Sequence, residues 1–170
     1  KMTSPTNISI IGIGKLGLCF SLTLERAGYN ILGVDVSTEY ITNLNSKNFL
    51  SSEPGVSEAL QTSLKFKATT SLQEAFGFSN VLYILVATPS LEDGSYDHSQ
   101  IEKVVSQLLK SEPPAEKKYL IIGCTTMPEY CDTLQERLKN HNYEVCYNPE
   151  FIAQGSILAD QRRPAQVLIG

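Results

Sequence analysis

A short run of glycines, one aspartate and a few polar residues carry most of the chemistry that can be read from this chain of 170 residues. Gly12-Ile13-Gly14-Lys15-Leu16-Gly17 is a G-x-G-x-x-G between an apolar run and a helical pattern, the context in which that spacing has meaning. Gly12 permits a tight turn, Gly14 lets a diphosphate approach the backbone, and Gly17 lets the helix pack closely on the strand. The free N–H groups where the helix begins, around Lys15, Leu16 and Gly17, then face negative charge, aided by the helix dipole. Asp35 ends the second apolar run. A carboxylate there accepts hydrogen bonds from both ribose hydroxyls of an adenosine and repels a 2′-phosphate. No lysine or arginine lies in Ser37–Asn43 to offset that repulsion, so NAD is expected rather than NADP. The plainer reading of Asp35 is a solvated helix-capping acid. Lys15 does not complete a P-loop, because Leu16 follows it and the G-x-x-x-x-G-K-[ST] spacing is absent.

Other polar residues collect where later apolar runs end. The fourth run ends in Val86-Ala87-Thr88-Pro89, the fifth runs into Cys124-Thr125-Thr126-Met127-Pro128, and the sixth into Tyr147-Asn148-Pro149-Glu150-Phe151. Singly, each has an ordinary explanation. Thr88-Pro89 is a common loop start, Thr126 fits a cap for a helix beginning at Pro128, and Glu150 fits an exposed acid. Together they mark one edge of a parallel sheet, and ligands of open α/β sheets bind outside the carboxyl ends of the strands.

The elements that must hold these residues alternate along the chain. Strands are predicted at Ile8–Ile13, Ile31–Val36, Phe66–Thr69, Val81–Val86, Tyr119–Ile122 and Tyr143–Tyr147, with another beginning at Val167–Ile169. Helices are predicted over Leu16–Ala27 with Gly28 at its end, after Ser37 with Ile41 and Leu44 inside, and through Val56, Leu60 and Leu64. Further helices follow the capping box Ser71-x-x-Glu74, follow Asp97 with Ile101, Val104, Val105, Leu108 and Leu109 in register, follow Pro128 with Cys131, Leu134 and Leu138 inside, and cover Ser156–Asp160. Two successive βαβαβ halves imply an α/β fold with a doubly wound parallel sheet, a three-layer αβα Rossmann fold with strand order 3-2-1-4-5-6.

The motifs, in order, resemble the UDP-glucose/GDP-mannose dehydrogenase family. They are the glycine turn, Gly33-Val34-Asp35-Val36, Glu53-Pro54-Gly55-Val56, Val86-Ala87-Thr88-Pro89, Glu92-Asp93-Gly94-Ser95, Thr125-Thr126-Met127-Pro128 and Asn148-Pro149-Glu150-Phe151 with Gly155-Ser156. The stretch from Asn148 through Asp160 and Arg163-Pro164 to Gly170 is the most specific. The resemblance implies oxidation of a primary alcohol on a nucleotide sugar (UDP-glucose, another UDP-sugar or GDP-mannose) to a carboxylate, with two NAD molecules and a cysteine-bound thioester. It implies that Gly12, Gly14, Lys15, Leu16, Gly17, Asp35, Thr88 and Thr126 hold the cofactor. Thr126 and Glu150 would be catalytic, the first orienting water near the nicotinamide and the second assisting proton transfer. Glu150, Phe151, Ile152, Ala153 and Gln154 would contact the sugar.

Three positions depart from the family pattern. Tyr40 stands where a basic residue is common, Cys124 where a charged one is frequent, and Gln154 where a second glutamate is usual. Residues 1–170 are expected to form one NAD-binding domain, with the central dimerisation and C-terminal substrate domains, and with them the nucleophilic cysteine, outside this chain. The full-length protein is expected to be a homodimer. Two other readings are a stand-alone NAD-responsive module without catalysis and a dehydrogenase of another type. The four cysteines form no C-x-x-C, no metal site is indicated, and buried free thiols are expected, with Cys124 the one near the site edge. His98 and His141 read as surface residues. A net charge of −4 without a basic block excludes a nucleic-acid footprint, and no apolar run reaches the roughly 18 residues of a membrane span. Lys1–Asn7 lacks the apolar stretch of a secretory signal, so a cytoplasmic setting is expected.

Overall fold

Six short apolar runs line up side by side in the computed structural model, which describes residues 6–152 and 154–170. They are β1 (Asn7–Ile11), β2 (Asn30–Val34), β3 (Phe66–Thr69), β4 (Val81–Ile84), β5 (Lys118–Ile122) and β6 (Tyr143–Tyr147). All neighbours are parallel and the order is β3-β2-β1-β4-β5-β6, as the sequence predicts. The helices are α1 (Lys15–Arg26), α2 (Thr38–Asn45), α3 (Val56–Thr62), α4 (Leu72–Phe78), α5 (Ser99–Lys110), α6 (Tyr130–Leu138) and α7 (Ile157–Arg162). A short 3-10 turn, Lys139–His141, follows α6.

The sheet separates two apolar cores because successive strand residues point to opposite faces. Ile8 and Ile10 pack with Leu18, Leu22, Leu44, Leu60 and Ile157 from α1, α2, α3 and α7. Ile11, Val34, Ile84 and Ile122 pack with Phe76, Val104, Leu108 and Leu134 from α4, α5 and α6. This is the doubly wound three-layer arrangement. No helix among the described residues is long and apolar enough to cross a membrane.

Side chains close several backbone gaps. Ser37 Oγ accepts from Tyr40 N–H and caps α2, and Ser71 Oγ accepts from Glu74 N–H and caps α4. The reciprocal half of the predicted capping box is absent, since Ser71 N–H goes to Thr69 Oγ1 at 3.1 Å. Lys118 is buried, and its ammonium donates to the carbonyls of Phe76 and Ser79 where α4 ends. Burial holds its pKa below the usual lysine range. On β3, Asn45 accepts from Ala68 N–H at 2.9 Å and donates to Ala68 C=O at 2.8 Å. On β6, Gln135 accepts from Val145 N–H at 2.7 Å and donates to Tyr143 C=O at 3.3 Å. Beyond it, Tyr147 and Gly170 exchange N–H···O=C bonds of 2.8 Å each.

The differences from the sequence reading have local causes. β1 and β2 end at Ile11 and Val34, two residues earlier than predicted, because the apolar runs continue into the turns that follow. Leu64 lies beyond the end of α3 and is 88% exposed, so it belongs to no helical face. Helix α6 begins at Tyr130 rather than Pro128: Tyr130 N–H bonds Met127 C=O, and Glu129 takes a left-handed φ of 67°, making Pro128-Glu129 a turn. Val167–Ile169 forms no strand, and only Gly170 pairs with β6.

Glu53, which opens one of the motifs that carry the resemblance, is 6% exposed. Both its carboxylate oxygens accept the Gly155 N–H, at 2.9 and 3.0 Å, tying the α2–α3 connection to the approach of α7. Glu53→Ala is expected to lower stability by about 1.5–3 kcal/mol, the range for hydrogen bonds to charged groups. Glu53→Gln, which keeps an acceptor, should lose less. Urea unfolding of the two variants measures the difference, and equal midpoints in both variants and the parent chain would refute this role.

Candidate functional site

The turn from β1 into α1 is built by backbone contact. Gly12 has φ 94°, and a Cβ there would lie 2.7 Å from the Leu85 carbonyl group. A Cβ on Gly17 would lie 1.9 Å from the Gly12 carbonyl oxygen, so only hydrogen fits. Gly14 differs: a Cβ there meets nothing within 4 Å, and the residue is exposed. Protein packing does not demand a glycine at that position, whereas a ligand lying against the backbone would. Helix α1 starts from Gly14 without a side-chain cap and without an acid in its first turn. Its first N–H groups are thus left without an intrahelical partner, and the positive end of the helix dipole is uncompensated. Helices α2 and α4 are capped by serines, and α3, α5, α6 and α7, though without a side-chain cap, each carry an acid in the first turn, so α1 differs in having neither.

Asp35 follows β2 directly beside this turn, since Gly12 N–H bonds Val34 C=O at 2.9 Å. Its Oδ1 accepts the Ser37 N–H at 3.2 Å, and Oδ2 has no partner among the described residues. Val36, next to it, is 93% exposed. The order reversal of the sheet falls between β1 and β4, so the glycine turn and Asp35 sit at the topological switch point.

Tyr40 fills a role the sequence did not show. Its hydroxyl donates to the Ile13 carbonyl at 2.6 Å, and its ring stands edge-on to Phe49 with centroids 5.1 Å apart. Burial, and then the Asp35 and Cys19 charges, hold its pKa above the usual tyrosine range, which keeps the hydroxyl a donor. The position where a cation was expected therefore fastens the glycine turn from α2. The sequence signal was present in the departure itself, but only the fold brings Tyr40 to Ile13.

At the other strand ends, Thr88 lies beyond β4, half-buried and without a side-chain hydrogen bond among the described residues. Thr126 follows β5 and is buried. Its N–H lies 3.5 Å from the Tyr147 hydroxyl, and its Oγ1 lies 3.9 Å from Cys131 Sγ. It caps no helix, because α6 starts four residues later. Glu150 follows β6, is half-buried, and has its N–H on Gly123 C=O at 3.2 Å. Burial raises its pKa above the usual carboxylate range. Phe151 and Gln154 are exposed, Ile152 is packed against the core of the α1 face, and Ala153 lies outside the described residues.

Thr126 and Glu150 thus share the carboxyl edge of the sheet but line separate cavities. Thr126 lies in one of about 430 Å³ with Cys131, Gln135, Tyr147 and Gly170. Glu150 lies in a smaller one of about 160 Å³ with Phe20, Thr23, Phe151 and Gln161. The thiols are not activated. Burial raises Cys19 to about 11 and Cys124 to about 12, and also raises Cys131 and Cys146. Cys19 is buried as expected, while the other three are only half-buried. The histidines are not free surface residues: His141 Nε2 bonds Ser111 C=O at 2.8 Å, and His98 accepts the Met127 N–H at 3.2 Å. Neither partner is near in sequence, which is why spacing could not reveal them.

Residues 6–170 match the protein family described as UDP-glucose/GDP-mannose dehydrogenase family, NAD binding domain. Among curated relatives, a UDP-glucose 6-dehydrogenase of Pseudomonas aeruginosa is 30% identical over 172 residues, covering 96% of this chain and 38% of that protein. A GDP-mannose 6-dehydrogenase of Pseudomonas savastanoi pv. phaseolicola is 27% identical over 177 residues, covering 96% of this chain and 40% of that protein. Among solved structures, a ternary complex of the GDP-mannose dehydrogenase from Pseudomonas aeruginosa superposes with a TM-score of 0.88 at 27% identity, over 96% of this chain and 40% of the other. The chain spans about two fifths of the length of these relatives.

The raised pKa of Glu150 has a consequence for stability. A carboxyl whose folded pKa lies above its unfolded value favours folding below the unfolded pKa and loses that contribution as pH rises through the folded one. At neutral pH its ionised form carries a burial cost. Glu150→Gln is therefore expected to raise the thermal midpoint at pH 7 and to lose that advantage as pH falls below the ordinary carboxylate range. Melting curves from pH 3 to 8 test it, and a variant that is less stable at pH 7 contradicts the assignment.

Proposed function

The chain belongs to the UDP-glucose/GDP-mannose dehydrogenase family as its NAD-binding domain, and from that premise we propose that it is the cofactor half of a nucleotide-sugar 6-dehydrogenase. The observation that carries the reading is the uncapped start of α1 at the switch point, with Asp35 beside it and one of its carboxylate oxygens free.

Chemically, the arrangement suits a dinucleotide. The N–H groups of Lys15, Leu16 and Gly17 receive the diphosphate over the open face of Gly14. Asp35 Oδ2 accepts from the adenosine ribose, and its charge rejects a 2′-phosphate. Tyr40 keeps the turn in place through Ile13. Thr88 and Thr126, at the ends of β4 and β5, line the path toward the nicotinamide. The bound dinucleotide supplies a hydride acceptor. Thr126 would orient the attacking water, and Glu150, whose pKa burial raises, would hold or release a proton. Glu150 to Gln154 would border the sugar. In this proposal the sugar is a UDP- or GDP-linked hexose with a free CH2OH.

This chain on its own is expected to bind NAD without turnover. Its thiols are all held in the protonated form by burial, so none supplies the thiolate that covalent capture of an aldehyde requires. That function, and dimerisation, belong in this proposal to the remaining length by which the relatives exceed this chain. The same observation favours the second reading, an NAD-binding module that does no chemistry itself.

Isothermal titration with NAD separates these claims from no binding at all. Saturable binding is expected, with Asp35→Ala weakening it by roughly tenfold or more, the loss of a charge-assisted pair of hydrogen bonds. NADP should bind more weakly than NAD. Tyr40→Phe should weaken NAD about two- to tenfold through the freed Ile13 carbonyl. Equal affinity for NAD in the parent chain and Asp35→Ala would remove the basis of the proposal.

A further inference from the structure

The segment bearing Thr126 is held by two successive amides. The Thr126 N–H approaches the Tyr147 hydroxyl at 3.5 Å, and the Met127 N–H donates to His98 Nε2 at 3.2 Å. His98 immediately precedes α5, and its ring is stacked on Tyr130, the first residue of α6, with centroids 3.8 Å apart. The Tyr130 hydroxyl donates to Glu102 Oε1 on α5. Arg137 from α6 grips the same carboxylate with both terminal nitrogens, at 2.9 and 3.0 Å. His98, Tyr130, Glu102 and Arg137 thus form one connected cluster joining α5 to α6, and it reaches Met127 twice: His98 Nε2 takes the N–H and Tyr130 N–H bonds the carbonyl at 3.2 Å.

We propose that His98 is a positioning residue for the Thr126 segment, and that it works only as a neutral imidazole. This rests on the reading that Thr126 faces the cofactor. The argument is one of donors and acceptors. Nε2 accepts an N–H, so the ring proton must sit on Nδ1. Protonation places a second N–H on Nε2, opposite the Met127 N–H, and two donors then face each other. Charged groups of both signs lie around the ring. Asp97 lies beside it and Glu102 on α5 is near enough to sense it, with Lys103 and Arg137 the nearby cations. Tyr130 stacks on it as a neutral phenol, its pKa raised by burial and then by Glu102. Only the Met127 amide requires the neutral form. Acid therefore releases Met127 while the Glu102–Arg137 pair, whose carboxyl is held below the usual range chiefly by Arg137, stays intact. The cluster remains folded and the Tyr130 bond to Met127 C=O persists, but the Thr126 segment loses the one hold that depends on the imidazole.

The test uses the ¹⁵N-labelled chain without NAD first. From pH 8.5 to 5.5 the Met127 amide resonance should move with the same midpoint as the His98 ring. His98→Gln, which places an amide oxygen near the Nε2 position, should leave Met127 bonded and insensitive to pH. His98→Phe, which keeps a ring against Tyr130 and removes the acceptor, should give the released Met127 signal even at pH 8. NAD calorimetry follows. The parent chain should lose about two- to tenfold in affinity across that range, the value of one hydrogen bond. His98→Gln should be flat with pH, and His98→Phe should be weak throughout. A Met127 amide that ignores the His98 titration overturns the clamp. A Met127 amide that follows it, with NAD affinity flat in pH, overturns the link to the cofactor. A chain that binds no NAD at any pH fails the functional reading instead and equally removes the link to the cofactor, while the amide titration still decides the clamp.

Discussion

The first strand can turn into the first helix only where backbone touches backbone. The Gly12 carbonyl sits where a side chain on Gly17 would have to be, and Gly12 itself lies against the Leu85 carbonyl of the neighbouring strand end. That contact fixes where α1 begins, and hence where its unpaired N–H groups point. Everything else at the sheet edge is placed relative to it. Asp35 is one strand away through the Gly12–Val34 bond, and Tyr40 reaches back from α2 to the intervening carbonyl. Because the sheet is parallel throughout, the ends of β4, β5 and β6 come to the same edge without further instruction.

The alternation of apolar runs and amphipathic segments was legible because parallel strands buried on both faces read as continuous hydrophobic stretches. The edge strands Phe66–Thr69 and Tyr143–Tyr147 lie where the sequence reading places them although each carries an exposed charged residue, and the strand order follows from the two βαβαβ halves. What periodicity could not locate were ends decided by tertiary contact. Ile13 is apolar and fully buried, yet it belongs to the turn, under Tyr40. Leu64 continued a helical spacing that α3 abandons two residues earlier, where the Glu25 carboxylate takes the N–H groups of Leu64 and Lys65.

The site divided along the same line. Gly12, Gly14, Gly17 and Asp35 act through local geometry, so their spacing announced them. Tyr40, Glu53 and His98 act through partners 27, 102 and 29 positions away. Nothing in their local spacing shows which distant group each would meet. Tyr40 and Gln154 were visible as departures from a family pattern, but a departure states only that something differs. For Tyr40 the structure supplies the difference: a hydroxyl that secures the turn, where the resemblance leads one to expect a basic residue.

The amide side chains of Asn45 and Gln135 have a consequence for the molecule among its own kind. An open sheet ends in two strands whose outward N–H and C=O groups invite another chain to add itself. Here Asn45 engages both backbone groups of Ala68, Gln135 engages Tyr143 and Val145, and Gly170 occupies Tyr147. Each amide imitates the one residue of a neighbouring strand that would otherwise bond there. At those positions the two flanks of the six-stranded sheet have their outward backbone groups already taken by the chain itself.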